Sequence, residues 1–353
     1  LGRKIGIGLA INPQNGEILA LVNIPSFDNN ILGGPGHNKE KAEILTSQSK
    51  PLFNRVVSGL YNPGSTIKPL VGVAALTEGV IDSTRKIFSP GYLDIPNPYN
   101  PDAPTRYMDW RPQGNVDLAA ALAQSSNVYF YTVGGGAGDI KGLGVTRLRE
   151  WWEKFSLGRK MGIDLPGEGS GFLPSPEWKE EKTKKPWLLG DTYNVSIGQG
   201  DLLLTPLQLL SYIGAIGNGG KIYRPFVNFD AEHSEVLEDL SNYESAIKEV
   251  QEGMRQVVAS PLGTARLLSD LPFVVGAKTG TAQIHNNEQA NAIFVGYAPA
   301  QNPQIALLVL VENSKEGSLN TIPIAKDVLN WYYINRLKVF AESESSFGGK
   351  VQN

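Results

Sequence analysis

Three short motifs carry side chains that can perform acyl transfer together: Ser65-Thr66-Ile67-Lys68, Ser125-Ser126-Asn127 and Lys278-Thr279-Gly280. A serine hydroxyl is a poor nucleophile until a base takes its proton. Ser65 and Lys68 stand three apart, so on a helix their side chains share a face. An ammonium cannot be a base, but burial and a second nearby cation lower a lysine pKa and free the amine. Lys278 is the candidate for that cation. Ser125 is suited to relay a proton between Lys68 and a leaving nitrogen. Asn127 offers an acceptor for Lys68 and a donor for a substrate amide. Base assistance of this kind is typically worth about 10²–10⁴-fold in rate.

Taken singly, two of these motifs are weak. Ser-x-x-Lys also occurs at Ser47–Lys50, Ser83–Lys86 and Ser245–Lys248, and Ser-x-Asn recurs at Ser318–Asn320. Context selects one set. Only Ser65 follows a Pro-Gly turn (Asn62-Pro63-Gly64) and precedes a run that reads as a buried helix. Only Ser125–Asn127 lies between a helical pattern and the aromatic continuation Val128-Tyr129-Phe130-Tyr131. Lys-Thr-Gly occurs once, directly after a strand pattern.

The elements that must position these groups are legible in outline. Ile5–Ile11 and Glu17–Val22 read as strands joined by a turn at Asn15-Gly16. Residues 23–50 read as loop-rich, with Gly33-Gly34-Pro35-Gly36 at the centre. A helix is predicted from Ser65 to Glu78, with Pro69 tolerated in its first turn and Gly79 as its stop. Residues 83–113, rich in Pro, Tyr and Asp, read as an irregular flap. Further helices are predicted over Asp117–Gln124, Thr146–Phe155, Leu207–Ile216 behind Thr205-Pro206, and Glu244–Val258, whose Ile247, Val250, Met254, Val257 and Val258 share a face. Strands follow at Phe273–Ala277, Ala292–Tyr297 and Ile305–Glu312, then a closing helix over Ile324–Leu337.

Strands thus open and close the chain and helices fill its middle. That is an α+β pattern, an antiparallel sheet flanked by helices. The opening hairpin is expected to join the closing meander in one sheet. The segment Lys278-Thr279-Gly280-Thr281 is then an edge strand whose backbone can pair with an extended peptide, Gly280 allowing close approach. Thr279 and Thr281 with Lys278 make a site for a terminal carboxylate. The backbone N–H groups of Ser65 and Thr281 are suited to an oxyanion hole.

Composition narrows the function classes. A chain of 353 residues, 41% hydrophobic and 19% charged, is long enough for a large core. With a net charge of −3 and no long basic block, nucleic acid is not an expected partner. There are no cysteines, so disulfides and thiol catalysis are excluded. His37, His233 and His285 are isolated, which argues against a zinc cluster or a Ser-His-Asp triad; no metal or cofactor is expected. No run reaches the roughly 18 apolar residues of a membrane span. The sequence opens in mid-pattern at Leu1 and is expected to be a fragment. Residues 1–340 are read as one domain and 341–353 as a polar, flexible tail.

The motif set resembles that of the class B penicillin-binding proteins, in their transpeptidase domain. The likeness continues through Asn15-Gly16-Glu17-Ile18-Leu19-Ala20 with Pro25-Ser26-Phe27-Asp28, Ile197-Gly198-Gln199-Gly200 with Thr205-Pro206-Leu207-Gln208, and Thr281-Ala282-Gln283, across nearly all of residues 5–335. Ile163-Asp164-Leu165-Pro166-Gly167-Glu168, Gly171-Phe172-Leu173-Pro174-Ser175 and Glu177-Trp178-Lys179 look most like the cell-elongation type, penicillin-binding protein 2. The resemblance implies the serine β-lactamase/DD-peptidase-like fold. It implies a D-Ala-D-Ala transpeptidase that cross-links peptidoglycan stem peptides through a Ser65 acyl-enzyme, and acylation and inhibition by β-lactams. It also implies an extracytoplasmic domain, in the periplasm or at the cell surface. The parent protein would be anchored in the cytoplasmic membrane, with a glycosyltransferase of the elongation machinery as partner.

Family members often open the strand after Lys-Thr-Gly with a His and an aromatic pair; here it reads Asn291-Ala292-Ile293-Phe294. Class A β-lactamases need a Glu-x-x-Leu-Asn loop between the second and third motifs. The one match, Glu316-Gly317-Ser318-Leu319-Asn320, comes after the third. Class D enzymes, and the β-lactam sensor domains that look like them, have Val where Asn127 stands. A division-type transpeptidase shares every catalytic motif and stays open as the alternative.

Overall fold

The computed structural model describes residues 5–96, 103–228, 234–284, 289–314 and 320–338. Its framework is a five-stranded antiparallel sheet. The opening hairpin, Gly6–Ile11 and Ile18–Ile24, lies beside the closing meander of Gly276–Ile284, Gln289–Ala298 and Ile305–Ser314. Gly6–Ile11 pairs with Ile305–Ser314, with Gly6 opposite Val311 and Ile11 opposite Ala306. Gly276–Ile284 forms one edge, as expected, and Ile18–Ile24 the other.

The central strand explains the layering. Ile305–Val311 is a continuous apolar run, and both of its faces are buried. Ala306, Leu308 and Leu310 join the larger core with Ile7, Leu9, Ile293 and Val295. Ile305, Leu307 and Val309 join a second core with Phe294, Ala298, Ile322, Ala325 and Leu329. Period-two alternation therefore sends successive residues into different layers. On the larger side lie the helices Lys68–Thr77 and Pro206–Asn218; on the other lies Ile322–Tyr332. Glu244–Ala259 spans both cores, Ile247, Val250 and Met254 facing one and Val257 and Val258 the other.

The helix Lys68–Thr77, which follows the turn carrying Ser65, is deeply enclosed, with every residue from Lys68 to Ala75 buried. Trp151 and Trp152, on the helix Gly144–Lys154 packed beside it, are fully buried. Pro206–Asn218 is started by a capping box between Thr205 and Gln208 and stopped at Gly219, φ 90°.

Several expectations are corrected. Residues 23–50 are not all loop: Asn29–Gly33 and Asn38–Thr46 are helices, and Asp28 caps the first by accepting from Asn30 N at 2.8 Å. Neither helix has a buried residue, so neither leaves an apolar stripe to read. The flap over 83–113 is not irregular throughout: Tyr92–Ile95 pairs with Thr105–Met108 inside it, and Ile87–Ser89 pairs with Gly114–Val116 just beyond it. The edge strand starts at Gly276, opposite Tyr297, so Lys278 lies inside it and Phe273–Val275 before it. Its partner ends at Ala298, ahead of Pro299, which has no N–H to extend a ladder. The closing helix is α-helical over Ile322–Tyr332 and continues as a π-helical turn, Tyr333–Leu337. The expected tail, 341–353, and the string from Glu316 to Leu319 lie outside the described residues. No helix among the described residues is long and apolar enough to cross a membrane.

Candidate active site

The turn that carries Ser65 is held by backbone contacts that only glycines permit. Gly64 has φ +54°, and a Cβ there would stand 2.9 Å from the Thr281 carbonyl oxygen. Gly64 N donates to Gly198 O at 2.9 Å, and Asn62 Nδ2 donates to Gly200 O and Leu202 O, each at 2.8 Å. Residues 197–202 thus form a shelf under the turn. Gly64–Ile67 is a 3₁₀ turn that runs into the helix Lys68–Thr77. Thr66 Oγ1 closes it by donating to Pro63 O at 2.6 Å, and Tyr212 OH donates to Thr66 O. From Pro63 to Lys68 only Ser65 is partly exposed. In a 3₁₀ turn residues i and i+3 eclipse, so Ser65 and Lys68 fall on one side.

Lys68 is fully buried. Its Nζ donates to Ser125 O at 2.8 Å and to Asn127 Oδ1 at 2.8 Å, and lies 5.5 Å from the centre of the Phe130 ring. Burial pushes Lys68 down to about 7, with the Asp109 carboxylate pulling the other way. Burial thus brings the free amine within reach near neutral pH.

Ser125 sits between the helices Leu118–Ala123 and Asn127–Gly135 with φ +57°. That conformation turns its carbonyl to Lys68 and its hydroxyl to Lys278, whose Nζ donates to Ser125 Oγ at 2.8 Å. Lys278 is itself fully buried and also donates to Thr279 O at 3.1 Å. Burial, and then repulsion from Lys68, hold Lys278 well below the ordinary lysine range. Two details differ from the sequence reading. Burial lowers Lys68 as expected, but the expected contribution of Lys278 is not found. The Ser125 hydroxyl is bonded to Lys278, and Lys68 meets Ser125 through the backbone.

On the edge strand, alternation divides the motif. Gly280 faces the turn that carries Ser65, where a Cβ would stand 2.8 Å from Thr66 Cγ2; Lys278 shares that face. Thr279 Oγ1 donates to Thr264 Oγ1 at 2.7 Å, and Thr281 is exposed. Gln199 Nε2 donates to Thr281 O at 3.1 Å. In a strand, N–H and C=O of one residue leave on the same side. Thr281 N–H therefore also points off the sheet edge, toward the turn that carries Ser65.

The structure thus brings Ser65, Lys68, Ser125, Asn127 and Lys278 to one cleft and lays Gly280 and Thr281 along its rim. Sequence reasoning missed three contributors: Gln199, Thr264 and Asp109. Asp109 is buried, and its Oδ2 accepts from Asn127 N at 2.8 Å and Val128 N at 2.9 Å. It sits in a non-periodic stretch, so no local pattern marks it.

The Penicillin binding protein transpeptidase domain family matches residues 6–330. The chain is 34% identical to a peptidoglycan D,D-transpeptidase MrdA of Haemophilus influenzae, over 94% of this chain and 53% of that protein. It spans about half the length of this curated relative. A crystal structure of Pseudomonas aeruginosa PBP2 in complex with WCK 5153 superposes with a TM-score of 0.81 at 35% identity, covering 95% of this chain and 75% of that one. PBP2 of Helicobacter pylori, in a complex with MreC, gives 0.83 at 28% identity, covering 94% and 61%. Sequence and fold agree over nearly the whole chain, which belongs to the penicillin-binding protein transpeptidase domain family.

Proposed function

We propose that this chain is the catalytic domain of an elongation-type peptidoglycan D,D-transpeptidase, with Ser65 as its nucleophile. Lys68 carries the reading: a lysine with no exposed surface, lowered to about 7, stands one 3₁₀ turn from a partly exposed serine. The Lys68 amine takes the Ser65 proton as Oγ attacks the carbonyl carbon of the penultimate D-Ala in a stem peptide. The N–H groups of Ser65 and Thr281 receive the developing oxyanion, each such donor being worth about 3–4 kcal/mol of barrier. The amide C–N bond breaks, and the terminal D-Ala leaves as an amine, protonated by the Lys68 ammonium. An amine from a second stem peptide then attacks the acyl-enzyme, forms the cross-link and frees Ser65. Thr279 and Thr281 hydroxyls take the terminal carboxylate, with Lys278 supplying positive field. Asn127 orients Lys68 and the substrate amide.

β-Lactams enter by the same route, the four-membered ring opening as Ser65 is acylated. Extracytoplasmic action, a membrane-anchored parent and partners in the elongation machinery, a glycosyltransferase among them, go with this reading; the likeness to the PBP2 found with MreC supports them.

The test is intact-mass analysis with benzylpenicillin. One equivalent is expected on the peptide holding Ser65, none in Ser65→Ala, and the adduct should persist for minutes or longer. Labelling that survives in Ser65→Ala contradicts the reading. Rapid turnover of the adduct favours a β-lactamase.

A further inference from the structure

Outside every motif, residues 109–113 grip the Ser125 turn from both sides. Downstream of it, Asp109 Oδ2 accepts from Ser126 Oγ at 3.0 Å, Asn127 N at 2.8 Å and Val128 N at 2.9 Å. The Gln113 amide, in the orientation that satisfies both its ends, donates to Asp109 Oδ2 at 3.1 Å and Ser126 Oγ at 2.5 Å. Upstream, Trp110 Nε1 donates to Gln124 O and Arg111 Nη2 to Gln124 Oε1, each at 3.1 Å. Asp109 is 7% exposed and Ser126 fully buried, so this network competes with little water.

What the grip holds is a strained residue. Ser125 is a non-glycine at φ +57°, a conformation kept only where its surroundings over-determine it. Both lysine contacts depend on that pose, since Ser125 O receives Lys68 and Ser125 Oγ receives Lys278. The carboxylate at the start of the Asn127–Gly135 helix also fixes where Asn127 presents Oδ1 to Lys68.

We propose that Asp109 is a positioning residue for acyl transfer: through Ser126, Gln113 and the Asn127–Gly135 helix start it locks the Ser125 turn that receives Lys68 and Lys278. The inference rests on the acyl-transfer reading above and deepens it. Among the described residues the charged group that acts on Lys68 is Asp109; Ser125 O, Asn127 Oδ1 and the Phe130 ring are neutral, and Lys278, across on the edge strand, is itself lowered by burial and by Lys68. Asp109 favours the ammonium and burial opposes it. Neutralising Asp109 therefore frees the amine at lower pH while loosening the turn that aims it.

The experiment measures the rate of benzylpenicillin acylation against pH for the parent chain, Asp109→Asn and Ser126→Ala. Asp109→Asn is expected to be about 10-fold slower or more on the alkaline plateau, with its acid-side midpoint displaced to lower pH by about half a unit or more. Ser126→Ala removes one partner and no charge; it is expected to be slower by about 3-fold with the midpoint of the parent. Parental rate and midpoint in Asp109→Asn overturn the inference. So does a loss of rate without displacement, which a merely structural role would give. If Asp109→Asn does not fold, parental acylation by folded Ser126→Ala overturns it instead. A parent that takes up no penicillin overturns the acyl-transfer reading; a labelled parent with an indistinguishable Asp109→Asn overturns this inference alone.

Discussion

The two walls of the cleft are built on opposite plans. On the helical wall, Lys68 is fully buried, with its amine shared between Ser125 O and Asn127 Oδ1 and backed by Phe130. On the strand wall, the segment ending in Thr281 is a sheet edge, and the Thr281 carbonyl is met by the amide of Gln199. The first wall is finished before a substrate arrives; the second still has a ladder to offer. Proton transfer gains from fixed groups in a water-poor setting, because nothing must reorganise at the moment of reaction. Peptide recognition gains from an unpaired edge, because strand addition supplies main-chain hydrogen bonds whatever the side chains. Lys278 joins the walls, rooted in the strand but bonded to Ser125.

The largest effect is expected on the helical wall. Lys68→Arg keeps a cation but removes the base, since arginine does not deprotonate in this range. Acylation should fall by about 10²-fold or more, while noncovalent ligand binding, followed by calorimetry, largely survives. Near-parental acylation would move proton transfer to Ser125 with Lys278, and the contrast between the walls would go with it.

Lys278→Arg tests the junction and should do less. Arginine stays cationic, and its planar guanidinium replaces the compact Nζ donor on Ser125 Oγ. Slower yet measurable acylation is expected, by roughly 10-fold, with weaker binding of carboxylate-bearing ligands. Complete loss would show that Lys278 takes part in proton transfer itself.

The same contrast separates what the sequence discloses from what it hides. Ile305–Val311 reads as a strand because seven apolar residues in a row must be buried on both faces. Ile247, Val250 and Met254 disclose their helix by spacing, and Thr205 with Gln208 disclose the start of theirs by capping. Ser65, Lys68 and Lys278 stand out by residue type and order. Asp109 does not: its partners are Ser126 and Val128, and no periodicity links segments so far apart along the chain. The start of the edge strand at Gly276, opposite Tyr297, likewise depends on where its partner lies and is not marked by its own residues. The exchange of partners at Ser125 follows from a single left-handed residue, which serine rarely adopts and sequence does not mark.

The central claim is that burial alone readies Lys68 as the base for Ser65. Its most direct test is the rate of Ser65 acylation by benzylpenicillin from about pH 5 to about pH 9. A base works only when unprotonated, so the rate should rise with pH, pass its midpoint near the value of about 7 to which burial brings Lys68, and level off above it. A rate that is flat across the range, or one still climbing toward the ordinary lysine value of 10.5, would contradict the account.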